Sequence, residues 1–333
     1  MPKSMFARPF TLKLPVLLAV LLGFAIPAIS ADLESRYASQ LEQLRNELAN
    51  RIPREAQGKT LDQFLASDAL DAQFAKYVVL LEATPTGLAE FAQQGNEHAD
   101  LVEALLADAE LMRQMLVADG ANAKREGRSY GPAQYGPAMK IYSDIQKTSK
   151  RAATGVLQRL ALAISLEHAV PIAQANPEAL LDAPETVDPV KRYLHYEKAY
   201  LDGELDPAFE RLSTWELRMV VDGDEPDETL AWGRRMLRNY RPDHIYNSNY
   251  GWRYVNIVGT DVKYGSQDVK YDRPELQKYQ NILMNGGVCG RRAFFGRFIL
   301  RAFGIPTTAR PSRGHAATSG AWSVRPRNSD CRN

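Results

Sequence analysis

A helical spacing of apolar residues, which extends from Asp32 to about Tyr240, most constrains what this chain can fold into. Apolar side chains recur every three or four residues, first at Leu33, Tyr37, Leu41, Leu44 and Leu48, and again over 101–112 and 157–166. This spacing places them on one face of an amphipathic helix. Since no fixed repeat period is present, we predict an irregular all-α region over residues 32–240 rather than a helical-repeat array.

Capping residues mark helix boundaries within this region. Asp206 precedes a proline, and Ser213 stands three residues before Glu216, which is the spacing of a capping box. Glycine and proline mark the connections, which we place at 120–136 and 176–189.

The helical region offers no convincing site. Three histidines lack a second ligand three or four residues away, so we expect surface or core roles for them rather than metal binding: His98, His168 and His195. The acidic run 222–228 lacks the ligand spacing of a calcium loop because Pro226 stands where a carboxylate is needed. We expect a solvated loop there, leading into a helix from Asp227.

The first 31 residues have the layout of a secretory signal. Basic residues precede an apolar run from Leu14 to Ile29, which ends in small residues. We expect cleavage after Ser30 or Ala31, a secreted or periplasmic location, and membrane contact only through this segment. The alternative is an uncleaved anchor helix, although the run holds about 16 residues where a membrane span needs about 20.

The charge of the chain argues against a nucleic-acid partner. The signal contains three of the 41 basic residues, so 38 remain against 40 acidic residues after processing, a net charge near −2. No basic stripe with interleaved aromatic residues is present.

The composition changes near Arg241, and we place a domain boundary at about residue 240. Aromatic and β-branched residues become frequent over 246–258, which favours extended structure. Alternating segments at 262–264 and 269–271 flank a Gly-Ser pair and predict a turn between two strands. A short helix is predicted over 274–282.

The sharpest functional signal lies between Asn285 and His315. A glycine-rich loop leads to Cys289, a helical pattern follows over 291–303, and a short strand over 307–310 precedes the histidine. A thiol is a weak nucleophile until it is ionised, and a helix N-terminus stabilises the thiolate through its dipole and free N–H groups.

The residues around Cys289 fit nucleophilic catalysis. Arg291 and Arg292 add positive charge, and the flanking glycines let an acyl group approach the backbone. We expect the Cys289 N–H to supply half of an oxyanion hole, and His315 to act as base and then as acid if the fold brings it within hydrogen-bond reach. The alternative is a buried cysteine that fills a small pocket, with His315 elsewhere.

Three stretches resemble the bacterial transglutaminase-like core of the papain-like superfamily: Gly287-Val288-Cys289-Gly290, Leu300-Arg301-Ala302-Phe303-Gly304-Ile305-Pro306 and Gly314-His315-Ala316. The resemblance implies an α+β class, with a transglutaminase-like core over 241–333 behind the helical region. It also implies a Cys-His-Asp triad that acts on amides by cross-linking, deamidation or peptide-bond hydrolysis. Cys289 would be the nucleophile and His315 the base, with a protein or peptide substrate and no metal or organic cofactor.

The third triad residue departs from the family pattern. The family presents an aspartate on the strand after its histidine, and Asp330 lies at about that distance, but no strand pattern leads to it and Pro326 interrupts the segment. Because the pattern is lost after Ala317, we hypothesise that the chain is a truncated or frame-shifted form of a longer enzyme, with an incomplete core. Reading the gene past codon 317 in all three frames tests this hypothesis.

Two functional interpretations follow. In the first, an exported enzyme forms a thioester at Cys289 and transfers the acyl group to water or to a lysine amine; a peptidase of cell-wall peptides shares this chemistry. In the second, the chain is a non-catalytic envelope interaction protein with a degenerate core. Cys289 and Cys331 are compatible with either a disulfide bridge or a free, reactive thiol.

Overall fold

The computed structural model of the chain describes residues 26–122, 124–125, 128–129, 131–175, 184–249, 252–265, 269–312 and 315–318. The α-helices within these residues are α1 (Ile26–Ala56), α2 (Leu61–Leu65), α3 (Asp71–Ala83), α4 (Pro85–Ala92), α5 (Asn96–Ala107), α6 (Ala109–Val117), α7 (Tyr135–Thr148), α8 (Gly155–Glu167), α9 (Pro189–Leu201), α10 (Thr214–Val221), α11 (Asp227–Tyr240), α12 (Pro242–Ile245), α13 (Asn256–Thr260), α14 (Lys278–Asn285) and α15 (Cys289–Ala302). Short 3-10 helices lie at Lys150–Ala153, Pro207–Arg211 and Val269–Tyr271. Two antiparallel hairpins complete the structure: β1 (Lys124–Arg125) with β2 (Arg128–Ser129), and β3 (Ala309–Ser312) with β4 (His315–Thr318).

The helical prediction for residues 32–240 is confirmed over the described residues. The capping box is present, since the Ser213 hydroxyl accepts from the Glu216 N–H and the Glu216 carboxylate accepts from the Ser213 N–H. Asp206 caps a 3-10 helix. The predicted cleavage position after Ser30 or Ala31 falls within α1, and residues 1–25 lie outside the described residues. None of the helices in the described ranges is long and apolar enough to cross a membrane.

The predicted α+β class is wrong, because the described residues form an all-α protein whose strands are confined to two hairpins. The aromatic segment 246–258, predicted to be extended, contains turns and the short helix α13. Its buried Tyr254 donates a hydrogen bond to Asp206 over 2.8 Å and stacks on Phe303 with the ring centroids 4.1 Å apart. Tyr254 therefore packs on Phe303 at the end of α15, where we expected a neighbouring strand.

The predicted pair of strands around Gly265 does not form either. Tyr264 makes one isolated parallel bridge to Gly287, and Val269–Tyr271 is a 3-10 helix. The bridge joins this segment to the loop that precedes Cys289. The predicted helix over 274–282 begins later, at Lys278, where Gln277 provides the N-terminal cap.

A single cluster of buried residues extends from Tyr37 to Phe303 and includes residues on both sides of residue 240. Helix α15 packs on α11, with Phe298 against Gly233, where a Cβ atom would lie 2.6 Å from the phenylalanine ring. Glycine at this position lets the two helices approach closely. Phe298 is also stacked between Trp232 and Tyr279, at centroid distances of 6.0 and 3.8 Å. The helix that begins at Cys289 is thus part of the main core.

Candidate functional site

Cys289 is the first residue of α15, as the sequence predicts. It carries a free, partly exposed thiol, and the structure describes no other cysteine. The N-cap residue, Val288, makes no side-chain hydrogen bond to the helix. Amide groups in the first turn of a helix lack intrahelical partners and favour a bound negative charge. The thiol therefore lies beside N–H donors that no side-chain cap occupies.

The glycine loop before Cys289 is held in one conformation by the segment beside it. Gly286 has a φ of 75°, and a Cβ atom there would lie 2.3 Å from the carbonyl oxygen of Lys263. The N–H of Gly287 donates to that same carbonyl over 2.9 Å. By contrast, a Cβ atom at Gly290 would meet none of the described residues outside its own helix within 4 Å. A side chain at this position therefore has room beside the thiol.

The two arginines that follow Cys289 have partners of their own. Arg291 lies 3.0 Å from the carboxylate of Asp272, which also accepts a hydrogen bond from Asn285 over 2.7 Å. Arg292 donates to the carbonyl oxygen of Val262. The positive charge of Arg291, expected to act on the thiol, is therefore paired with Asp272, a residue that the sequence did not indicate.

The strand β4, which begins at His315, packs against the helix that begins at Cys289. Ser312 of β3 lies opposite His315 in the hairpin. The predicted order of glycine loop, cysteine, helix, strand and histidine is therefore present in the backbone. The side chain of His315 lies outside the described residues, as do Asp330 and Cys331.

Buried charges hold the other end of α15. Arg301 lies 2.7 Å from Asp222 and 3.3 Å from Glu225, and the hydroxyl of Tyr279 donates to Glu225 over 2.9 Å. The hydroxyl of Tyr196 donates to the carbonyl oxygen of Arg301 over 3.1 Å. Removing one partner from such a buried set leaves an uncompensated charge, so these contacts fix the position of the helix.

The two carboxylates beside Arg301 differ in their pKa. Burial raises the pKa of Asp222 to about 7 against the opposing charge of Arg301, and the negative charges of Glu167 and Glu225 raise it further. Burial also raises the pKa of Glu225, but Arg301 and the Tyr279 hydroxyl outweigh it and leave this pKa below its ordinary value. Glu225 is therefore the permanently charged partner of Arg301.

The acidic run 222–228 is not the solvated loop that the sequence indicates. Glu225 is 2% exposed. The fully buried Arg192 donates to the carbonyl oxygens of Val221, Gly223 and Glu225, and to the carboxylate of Asp227. The helix from Asp227 is confirmed. A fixed guanidinium thus organises this loop, and nothing in the local sequence indicates so distant a partner.

Arg234, which also contacts a histidine, supports the last turn of α15. The guanidinium of Arg234 donates to the carbonyl oxygen of Ala302 over 2.9 Å and pairs with Glu204 at 2.8 Å. Its Nη1 atom lies 3.1 Å from Nε2 of His195. Burial, together with the charges of Arg234 and Arg192, lowers the pKa of His195 to about 2.

A cleft of about 700 Å³ runs along α11, between this helix, Asp261 and Leu283 of α14. Its helical wall presents Trp232, Arg235, Met236 and Tyr240. These positions have the spacing of one helix face, on which Arg235 lies between Trp232 and Met236 and Tyr240 follows one turn later. This mixed face is the sequence signal that would have located the cleft.

Compared with known protein families, curated proteins and solved structures, the chain shows no significant match to any of them.

Proposed function

We propose that this chain is an exported, transglutaminase-like protein that carries out thiol-dependent acyl transfer or hydrolysis at a protein or peptide amide. Cys289 is the nucleophile and His315 the base. The observation that carries the proposal is the packing of β4, which begins at His315, against α15, which begins at Cys289.

The chemistry begins with transfer of the thiol proton to the imidazole and attack of sulfur on the amide carbonyl carbon. The negative charge on the carbonyl oxygen is stabilised by backbone N–H groups of the first turn of α15. The C–N bond then breaks, the leaving nitrogen takes the proton from the imidazolium, and a thioester remains on Cys289. Water or a lysine amine attacks this thioester, releases the acyl group and restores the thiol.

Three local features support this assignment. The thiol is partly exposed, so that a substrate reaches it from solvent. The N-cap residue, Val288, makes no side-chain hydrogen bond to the first turn, which leaves its N–H groups for an oxyanion. The space beside Gly290 admits the acyl group next to the backbone.

The rate of alkylation of Cys289 by iodoacetamide, measured against pH in a Cys331→Ser background, tests the proposal. An unperturbed thiol titrates near about 8.5, whereas a thiol paired with histidine ionises at lower pH. We expect a reactive plateau that extends below pH 6 and is lost in His315→Ala. His98→Ala is the matched control and should leave the profile unchanged, because the ring of His98 packs on Phe91 of α4. A single step near the unperturbed value, indifferent to His315, contradicts the proposal.

One observation favours a non-catalytic envelope interaction protein as the second candidate. Arg291 is engaged by Asp272 and Arg292 by a backbone carbonyl, as a purely structural role would require. This candidate predicts that Cys289→Ala changes neither stability nor the binding of envelope partners, and that alkylation shows only the ordinary thiol profile.

A further inference from the structure

One carboxylate joins the two helices that flank the thiol. The Oδ1 atom of Asp272 accepts a hydrogen bond from Nδ2 of Asn285 over 2.7 Å and another from Nη2 of Arg291 over 3.0 Å. Asn285 is the last residue of α14, and Arg291 lies in the first turn of α15. Because Cys289 lies between these two residues in the chain, Asp272 closes the loop that carries the thiol.

Backbone hydrogen bonds hold the loop close to the contacts of Asp272. The N–H of Gly287 donates to the carbonyl oxygen of Lys263 on the neighbouring segment over 2.9 Å. The backbone N–H groups of the loop that donate such bonds include those of Gly286, Gly287 and Arg292. Each of them lies within two residues of a residue that Asp272 contacts. The opening of these three bonds therefore reports whether the loop is held in place.

Arg291 depends on Asp272 for the compensation of its charge. Its side chain is 14% exposed, and its Nη1 atom is buried with no acceptor among the described residues. Within the described part of the chain, Asp272 is the only carboxylate that pairs with it. The side chain of Arg291 also packs on the loop, since a Cβ atom at Gly287 would lie 2.5 Å from the Cβ atom of Arg291. Removing Asp272 therefore leaves a largely buried cation uncompensated on the loop.

We propose that Asp272 is the positioning residue of the thiol site. It fixes the first turn of α15 against the end of α14, so that Cys289 and the N–H groups of that turn keep a single arrangement. Asp272 acts through Asn285 and Arg291, without contact with the substrate. The inference rests on the proposed function in one respect, namely that the arrangement it fixes is the one in which Cys289 ionises at low pH.

Hydrogen exchange of the full chain, followed by mass spectrometry, measures the positioning without any chemistry at the thiol. In Asp272→Ala, we expect the amides of Gly286, Gly287 and Arg292 to exchange at least about tenfold faster, as for the loss of a charge-assisted hydrogen bond. The amides of the distant helix α8 should exchange at the rate of the wild type. Asn285→Ala removes only one of the two bonds and should accelerate the same three amides by a smaller factor.

The rate of alkylation of Cys289 against pH, in the Cys331→Ser background, tests whether this position matters for the thiol. In Asp272→Ala, we expect the reactive plateau to move by about one pH unit or more toward the profile of an unperturbed thiol. Asp272→Asn retains an oxygen atom that accepts from Asn285 and Arg291. It should therefore restore much of the plateau and of the slow exchange, which a general loss of stability would not do.

Glu275→Ala is the matched control, because Glu275 is 51% exposed and pairs with Arg273 at 3.6 Å. It should change neither exchange nor alkylation. The inference is overturned if the three amides exchange at the wild-type rate in Asp272→Ala, if the control has the same effect, or if exchange in α8 rises as much. It is also overturned if the wild type has the low-pH plateau and Asp272→Ala keeps it.

Asn285→Ala provides the same two measurements if Asp272→Ala does not fold, and wild-type exchange and alkylation in this variant overturn the inference. A wild type without any low-pH plateau would refute the proposed function alone. The exchange rates of the three amides would then still decide whether Asp272 holds the loop, since they do not depend on the reactivity of the thiol.

Discussion

Replacing His195 by glutamine is expected to remove a loss of stability that the wild type suffers as the pH falls from 7.5 to 5.0. The guanidinium of Arg234 always donates, so Nε2 of His195 must accept its hydrogen bond and the neutral ring carries its proton on Nδ1. Protonation of Nε2 removes this bond and places two cations 3.1 Å apart. Glutamine offers a carbonyl oxygen to the same donor and does not titrate.

The magnitude follows from the difference between the folded and unfolded pKa. The pKa of His195 is about 2 in the folded protein and has an ordinary value of 6.5 when unfolded. The unfolded chain therefore binds more protons below pH 6.5, so the contribution of the neutral ring is complete above 6.5 and is lost as the pH falls. At pH 5.0, about 1.5 units below the unfolded pKa, the loss amounts to about 2 kcal/mol.

Urea unfolding of both proteins at pH 5.0 and 7.5 measures this contribution. From pH 7.5 to pH 5.0, the free energy of unfolding of the variant should rise by about 2 kcal/mol relative to that of the wild type. A cost of the substitution that is the same at both pH values does not affect this difference. The comparison must be between the two proteins, since Asp222 titrates in the same range with the opposite sign. If the wild type and the variant lose the same stability as the pH falls, the imidazole accepts a proton in the folded state, and the assigned contact with Arg234 is refuted.

Two further substitutions test the groups that hold α15. Asp222→Asn should become more stable relative to the wild type as the pH rises from 5 to 8. The reason is that the pKa of Asp222, raised to about 7 in the folded protein, makes its ionisation costly only in the folded state. A difference in the free energy of urea unfolding that does not change with pH would contradict this. Gly286→Ala should cost about 1–3 kcal/mol and slow alkylation of Cys289, because the left-handed φ and the nearby carbonyl of Lys263 both oppose a side chain. Gly290→Ala is its matched control, since it has free space in a helical turn and should change stability by less than about 1 kcal/mol; equal costs for both variants would refute the argument.

The helices could be predicted from sequence because their signals are local. The capping box at Ser213, the helix that begins at Cys289 and the break after Asn285 depend on residues within four positions of one another. The same reasoning failed over 246–258, where residues with a preference for strands form turns and the short helix α13. Tyr254, for example, takes its conformation from Asp206 and Phe303.

The candidate site was likewise predictable only where its signals are local in the sequence. The thiol at a helix N-terminus was predictable, and the position of Arg291 beside it followed from the helical pattern. The partner of that arginine, Asp272, and the burial of Glu225 were not predictable, because both depend on contacts between residues far apart in the chain. The cleft along α11 has a helical spacing that sequence analysis could have noted, although its opposite wall comes from α14.

The anchoring of α15 also sets an order of events during synthesis. Arg301 finds Glu225 76 residues earlier in the chain, and its carbonyl oxygen accepts from Tyr196, 105 residues earlier. A chain is synthesised from its N-terminus, and contacts between residues far apart in the chain cannot form until both residues have left the ribosome. The loop around Glu225 is therefore synthesised before Arg301, and its carboxylate lacks this partner until α15 has been made and has docked. Cys289 acquires its final surroundings in the last docking step, so a nascent chain stalled before residue 301 would carry the thiol without its fixed setting.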